Sequence, residues 1–118
     1  MKSIHVPFIM VEQDDKDLLV SFAMGEHADT SLTLLRTPVY EVFLDEDERG
    51  VSVETGQSDS EDGQLLMSIA FSKDTVLVKT TGRDYLLSVR SVDEREITEA
   101  KLVINKMNFD QRFTITDA

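Results

Sequence analysis

The sequence has 118 residues, no cysteine and a formal net charge of −11. The absence of cysteine excludes disulfides, thiolate metal sites and cysteine nucleophiles, and the acidic balance argues against nucleic-acid and membrane partners. The length suggests a single domain, residues 1–118. Because the chain has neither an apolar run of ~20 residues nor a signal-peptide cleavage pattern, we expect a cytoplasmic protein.

Alternating apolar residues predict β-strands along most of the chain. Each set places its side chains on one face of an extended segment, as in a strand with one buried face. Short separators, such as residues 72–74 and 81–84, favour an antiparallel meander. The sets are Ile4, Val6, Phe8 and Met10; Leu18, Val20, Phe22 and Met24; Leu32 and Leu34; Tyr40, Val42 and Leu44; Val51 and Val53; Leu65, Met67, Ile69 and Phe71; Val76 and Val78; and Tyr85, Leu87 and Val89.

Residues 93–107 break the alternation and predict an α-helix. Apolar residues recur there at helical spacing, and Ser91 or Asp93 can cap the start, with an acid three residues later. A last short strand is expected around Phe113 and Ile115. The predicted fold class is α+β: a mostly antiparallel β-sheet meander with one C-terminal helix packed on the sheet. The helix residues expected to face the sheet are Ile97, Ala100, Ile104 and Met107.

Acidic residues concentrate near the middle of the chain. Nine acids and one base lie between Glu41 and Asp62, a net charge of −8. The runs "YEVFL" and "VSVET" flank "DEDERG" and predict a hairpin with Gly50 in its turn. Its charged tip is either a solvated end that discourages edge pairing or a docking surface that steers a basic partner. For docking, the predicted contact residues are Tyr40, Phe43, Asp45, Glu46, Asp47, Glu48, Asp59, Glu61 and Asp62.

The predicted strand places Tyr40 and Phe43 on opposite faces, so at least one of them should be accessible as an apolar anchor. No catalytic, metal or cofactor motif accompanies them. "DEDERG" begins like a Ca²⁺ loop, but Arg49 occupies the fifth position and Gly56 the twelfth, where a glutamate is needed. His5 and His27 lack metal-ligand spacing. We expect a non-enzyme without a cofactor; a small hydrolase with paired carboxylates is the catalytic alternative.

The order of the fragments resembles that of a known class of proteins. "VEQDDKDLLVSFAMGEHADTSLTLLR" gives a strand, an acidic loop and a strand; "DEDERGVSVETGQSDSEDG" leads into "LLMSIAFSKDTVLVKT"; and a C-terminal helix follows "YLLSVRSVDEREITEA". This layout is similar to that of small acidic bacterial immunity proteins of polymorphic toxin systems, the family numbered ten among them. The resemblance implies neutralisation of a cognate toxin by direct binding, and it transfers no functional residue.

The leading hypothesis is therefore a binding protein that occludes a basic cleft on a cognate toxin or another basic protein. The alternative is a structural accessory protein that self-associates through its sheet edges, for example as a homodimer. The sequence leaves the oligomeric state and the identity of the partner open.

Overall fold

The computed structural model describes residues 2–55 and 64–117, which form a mixed nine-stranded β-sheet and one α-helix. The sheet is mostly antiparallel and the helix packs against it, which confirms the predicted α+β class. The elements are β1 (Ile4–His5), β2 (Ile9–Gln13), β3 (Leu18–Met24), β4 (Thr30–Arg36), β5 (Ser52–Thr55), β6 (Gln64–Phe71), β7 (Thr75–Thr80), β8 (Asp84–Ser88), α1 (Glu94–Met107) and β9 (Thr114–Asp117).

The strands follow the order β1-β8-β7-β6-β5-β4-β3-β2, with β9 beside β6. Strands β2 to β8 are neighbours in sequence and pair antiparallel, as predicted for a meander. Two pairings are parallel, β1 with β8 and β9 with β6. The second arises because α1 carries the chain back across the sheet, and such a crossover connection is what a parallel pair requires.

The N-terminal strand is not continuous, and its predicted buried face holds for Ile4 and Val6 but is wrong for Phe8 and Met10. Val6 and Ile9 are buried, whereas Phe8 and Met10 are exposed. Pro7 separates β1 from β2, since proline has no N–H for a strand ladder. The N-terminal segment therefore reaches both ends of the strand order: β1 pairs with β8, and β2 pairs with β3.

A β-bulge in β6 corrects a second predicted face. Leu66, Ile69 and Phe71 are buried, but Met67 is 53% exposed. The pairing of β6 with β7 shifts register between Leu66 and Ser68. Because a bulge adds one residue to a two-residue period, it moves Met67 from the buried face to the solvent face.

The helix follows its prediction closely. The Asp93 side chain accepts a hydrogen bond from the Arg95 N–H at 2.9 Å and caps α1. Ala100, Ile104 and Met107 are buried, as is Val103, and the helix packs against β2 and β3. Glu96 does not complete the expected capping box; its Oε1 accepts from the Ile9 N–H at 2.7 Å and ties α1 to β2.

The predicted hairpin around "DEDERG" is wrong. Residues Pro38–Phe43 form a 3₁₀ helix, a second short one covers Glu46–Glu48, and β5 pairs with β4 and β6. Pro38 lies in the first turn of the 3₁₀ helix, where its fixed φ suits a helical start. Most of the stretch that connects β4 to β5 is therefore 3₁₀-helical. Its alternating apolar residues do not share one face, as they would in a strand.

Candidate docking surface

A buried arginine organises the end of β4. Arg36 is 1% exposed, and Glu41, in the following 3₁₀ helix, is 7% exposed. Arg36 Nε and Nη2 donate to the two Glu41 carboxylate oxygens at 2.8 and 2.9 Å. A paired fork of this kind fixes the orientation of both side chains. Glu41 therefore points into the protein and anchors the 3₁₀ helix to β4.

The same guanidinium joins the chain beyond α1. Arg36 Nη1 and Nη2 donate to the two Asp110 carboxylate oxygens at 2.7 and 2.8 Å, and Nη1 also donates to the Met107 carbonyl at 2.7 Å. With Glu41, these bonds engage all five N–H donors of an arginine. The Met107 carbonyl is one of the last helix carbonyls, which have no partner inside the helix. Arg36 thus connects β4, the 3₁₀ helix and the end of α1.

The ionisation of this group follows from its contacts. Burial lowers the pKa of Arg36, but hydrogen bonds from its guanidinium to Glu41 and Asp110 outweigh burial and raise it. The hydrogen bond from Arg36 holds the pKa of Asp110 well below its ordinary value; burial opposes this and Arg112 adds to it. Arg36 and Asp110 are therefore both ionised at neutral pH.

Arg112 extends the contacts toward the acidic residues. Its Nε donates to Asp110 Oδ2 at 2.6 Å, and its Nη1 donates to the Glu46 carbonyl at 2.8 Å. We call Arg36, Glu41, Asp110 and Arg112 the arginine cluster. Its two cations and two anions balance, so it is neutral as a unit and joins four separate parts of the chain.

Exposed apolar side chains surround the inward-pointing Glu41. Phe43 is 84% exposed. Val39, Tyr40 and Val42, which precede it in the same 3₁₀ helix, are each about half exposed or more. Phe109 is exposed as well, and its ring lies 4.0 Å from the Arg36 guanidinium. Contiguous exposed apolar groups of this kind commonly mark interaction sites. We call the exposed set the apolar segment: Val39, Tyr40, Val42, Phe43 and Leu44.

Four carboxylates follow directly. Residues 45–48, the acidic turn, are all exposed. The Asp45 N–H donates to Glu48 Oε1 at 3.2 Å, and one carboxylate oxygen each from Asp45, Asp47 and Glu48 lie within 4.8 Å of one another. Three ligands fall short of the six to eight oxygens that Ca²⁺ takes. A lysine or arginine side chain needs only one or two carboxylates and suits this turn better.

The acidic turn receives little compensation from the described cations. Arg112 Nη2 approaches Glu46 Oε1 at 3.9 Å, and Arg49 Nε donates to the Leu44 carbonyl at 3.2 Å. The expectation of an exposed acidic tip does not extend to Glu41, which is buried and paired with Arg36. It holds for residues 45–48, which are exposed.

The structure brings six of the predicted contact residues onto one stretch, namely Tyr40, Phe43, Asp45, Glu46, Asp47 and Glu48. Tyr40 and Phe43 are both exposed, because a 3₁₀ helix does not set them on opposite faces as a strand would. The other three, Asp59, Glu61 and Asp62, lie outside the described residues. Whether any of the nine contacts a partner stays a prediction.

Sequence reasoning missed the arginine cluster and Phe109. One local signal could have revealed Arg36: it continues the alternation of Leu32 and Leu34 on the buried face of β4. A charged residue on such a face needs a buried partner of opposite charge. No local pattern identifies Asp110 as that partner.

Comparisons with known proteins give no match: no family model fits this sequence, and neither a curated protein nor a solved structure is significantly similar to it. The resemblance to immunity proteins therefore stays a prediction, and the function has to be argued from the site itself. Among the described residues, no helix has the length and apolar character to cross a bilayer.

Proposed function

We propose that this protein is a non-catalytic binder that neutralises a basic partner protein, such as a cognate bacterial toxin, by direct contact and occlusion. One observation carries the proposal: an exposed apolar segment and an exposed acidic turn with little charge compensation are adjacent in the chain and are held by one neutral cluster centred on the buried Arg36. Anchors beside steering charges are the usual composition of a specific protein interface.

The mechanism divides into approach and contact. The charge of −11 and the four carboxylates of the acidic turn attract a cationic cleft and raise the association rate. The apolar segment then loses water against the cleft, and buried aromatic anchors supply most of the affinity in such interfaces. Phe43 is the most exposed anchor. A basic cleft covered in this way cannot admit an anionic substrate.

Preorganisation supports the same conclusion. A loop that becomes ordered only on binding loses affinity to conformational entropy. Here Glu41 sits within the 3₁₀ helix and is fixed by two hydrogen bonds to Arg36. The neighbouring anchors Tyr40 and Val42 therefore start from a defined backbone.

Self-association through this surface and hydrolysis are less well supported. In a two-fold symmetric dimer the same patch meets itself, so a dimer formed through this surface would bring two acidic turns together and repel. A hydrolase needs a carboxylic acid that donates a proton, which is normally buried in an apolar site. Asp45, Asp47 and Glu48 are exposed instead.

The proposal is tested by reversing charge in the acidic turn. The partner is first identified by capture from the native lysate and then purified. We expect the Asp45→Lys, Asp47→Lys double variant to associate with it about tenfold more slowly than the unmodified protein at low salt. The difference should shrink at higher ionic strength, because salt screens exposed charges. Stopped-flow fluorescence measures both rates.

The matched control reverses two exposed acids that precede β4, Glu26→Lys and Asp29→Lys; β4 itself spans about 20 Å and separates them from the end at Arg36. It carries the same net charge and should retain most of the association rate. Equal slowing by both double variants would mean that only the net charge matters. Unchanged rates in the first variant would refute a docking role for the acidic turn.

A further inference from the structure

A groove lies beside the acidic turn, and the proposed steering role of the acidic turn does not use it. It has a volume of about 410 Å³, and its apolar lining comes from Leu65, Leu66 and Met67 of β6. Asp47 from the acidic turn lines it as well. Its volume lies within the range of small ligand sites, ~300–1,000 Å³, so one large side chain fits.

The β-bulge of β6 opens this lining. Without the register shift between Leu66 and Ser68, Met67 would lie on the buried face with Ile69 and Phe71. With the shift, Met67 is exposed and lines the groove. Bulges frequently redirect a side chain next to a functional site, and the flexible, polarizable methionine side chain is common on binding surfaces.

The charges that line the groove exclude most occupants. Arg49 and Arg112 both line it, so a lysine or arginine of the partner would meet two like charges there. A carboxylate would meet Asp47, and Arg112 already donates through Nε to Asp110 and through Nη1 to the Glu46 carbonyl. The groove therefore suits a neutral side chain.

An aromatic side chain uses these groups best. Guanidinium groups that already donate hydrogen bonds still stack through their planar faces on aromatic rings. A methionine sulfur makes favourable contacts with ring edges. An aliphatic side chain would gain only from burial against the apolar lining.

We propose that this groove takes an aromatic side chain from a basic segment of the partner, with the acidic turn holding the lysines or arginines that flank it. This inference rests on the proposed function, because it assumes a cationic partner at the acidic turn. It adds the chemical identity of the anchor, which the charges alone do not specify.

Three synthetic peptides test the anchor: Lys-Lys-Trp-Lys-Lys and its variants with leucine or alanine in place of tryptophan. Binding is measured at low salt by isothermal titration calorimetry, and the ¹³C-labelled methyl signal of Met67, assigned from Met67→Ala, reports contact at the groove. We expect the tryptophan peptide to shift the Met67 signal and to bind about fivefold more tightly than either variant. An equally tight leucine peptide would refute an aromatic preference.

Substitutions separate the anchor from the steering charges. Met67→Ala should remove the advantage of tryptophan and leave the salt-dependent binding of the alanine peptide. The control is Met10→Ala, which removes a methionine of equal exposure, 54%, on a strand separated from β6 by β5, β4 and β3. It should change nothing. The Asp45→Lys, Glu46→Lys variant, which leaves the groove-lining Asp47 in place, should weaken all three peptides alike.

Each other outcome decides one of the two proposals. If tryptophan keeps its advantage in Met67→Ala, the anchor is refuted while the acidic turn can still steer. If the charge reversal leaves peptide binding unchanged but Met67 still selects tryptophan, the anchor stands and steering fails. A Met67 signal that changes on dilution without peptide would assign the groove to a second copy of the chain and refute the anchor. The anchor would also be refuted if none of the three peptides bound.

Discussion

Glu41 and Asp47 are near neighbours in the chain, yet their carboxylates lie in opposite environments. Glu41 is buried and makes two hydrogen bonds to Arg36. Asp47 is exposed, in a turn where carboxylates face one another. The two cations and two anions of the arginine cluster offset one another through ion pairs within the protein. The carboxylates of the acidic turn face solvent.

The difference shows that composition alone does not assign a role to an acidic residue. A buried carboxylate needs an opposite charge and good hydrogen-bond geometry, or burial becomes costly. An exposed carboxylate contributes little to folding stability, but its negative charge can still attract an approaching cationic partner. The two regions therefore make separable predictions: one for stability, and one for association.

The largest expected effect comes from Arg36→Met. This change leaves Glu41 buried without its counter-charge and removes the partner of the Met107 carbonyl. Breaking a buried ion pair from one side typically costs about 3–5 kcal/mol of unfolding free energy. Urea denaturation followed by circular dichroism measures the loss.

The companion variant Arg36→Met, Glu41→Leu removes the charge imbalance together with the arginine and leaves Asp110 paired with Arg112. It should recover part of the lost stability, because replacing both members of the buried Arg36–Glu41 pair is far less costly than removing one. A loss of less than about 1 kcal/mol in the single variant would contradict the structural role of Arg36.

A smaller effect is expected from Asp110→Asn, and it should depend on pH. Hydrogen bonds to charged groups contribute roughly 1.5–3 kcal/mol, and because Asp110 is partly exposed and asparagine retains one oxygen, we expect about 1.5 kcal/mol at neutral pH. The native pKa of Asp110 lies below its ordinary 3.8. The unfolded state therefore binds this proton first as the pH falls.

The contribution of Asp110 is thus fully present above pH 3.8 and is lost as the pH falls toward the native pKa. The stability difference between the unmodified protein and Asp110→Asn should narrow over that interval. Unfolding free energies at pH 7, 4 and 2.5 provide the measurement. A difference that stays constant down to pH 2.5 would contradict the ionised pairing of Asp110 with Arg36.

The smallest expected effect on stability comes from Asp47→Lys. Exposed substitutions away from specific contacts usually change the unfolding free energy by less than about 0.5 kcal/mol. Relief of repulsion among clustered carboxylates acts in the stabilising direction. The same urea measurement applies, and a loss above 1 kcal/mol would mean that the acidic turn has a structural role like that of Glu41.

The sequence predicts those parts of the fold whose buried faces repeat regularly. The strands around Val20, Leu34 and Val78 and the helix face with Ala100 and Ile104 follow from spacing alone. The failures lie where one residue interrupts the period. Pro7 breaks the first strand, and the bulge near Met67 shifts the phase of β6.

The site is predictable only in its outward part. Exposed acids and apolar residues were expected from composition, and residues 45–48 are exposed. The inward part was not, because Arg36 takes Asp110 from 74 positions away, a pairing set by how α1 packs on the sheet. Glu41 then faces inward, so residues 38–43 form a helix where their alternation predicts a strand.

The link between Arg36 and Asp110 has a consequence for protein synthesis. The 3₁₀ helix is made early in translation, but the groups that complete its anchoring come after α1. A nascent chain without Asp110 and Arg112 has Glu41 and Arg36 but lacks the other half of their support. The candidate docking surface is therefore complete only after residues 110–112 have emerged from the ribosome, so its assembly follows the synthesis of α1.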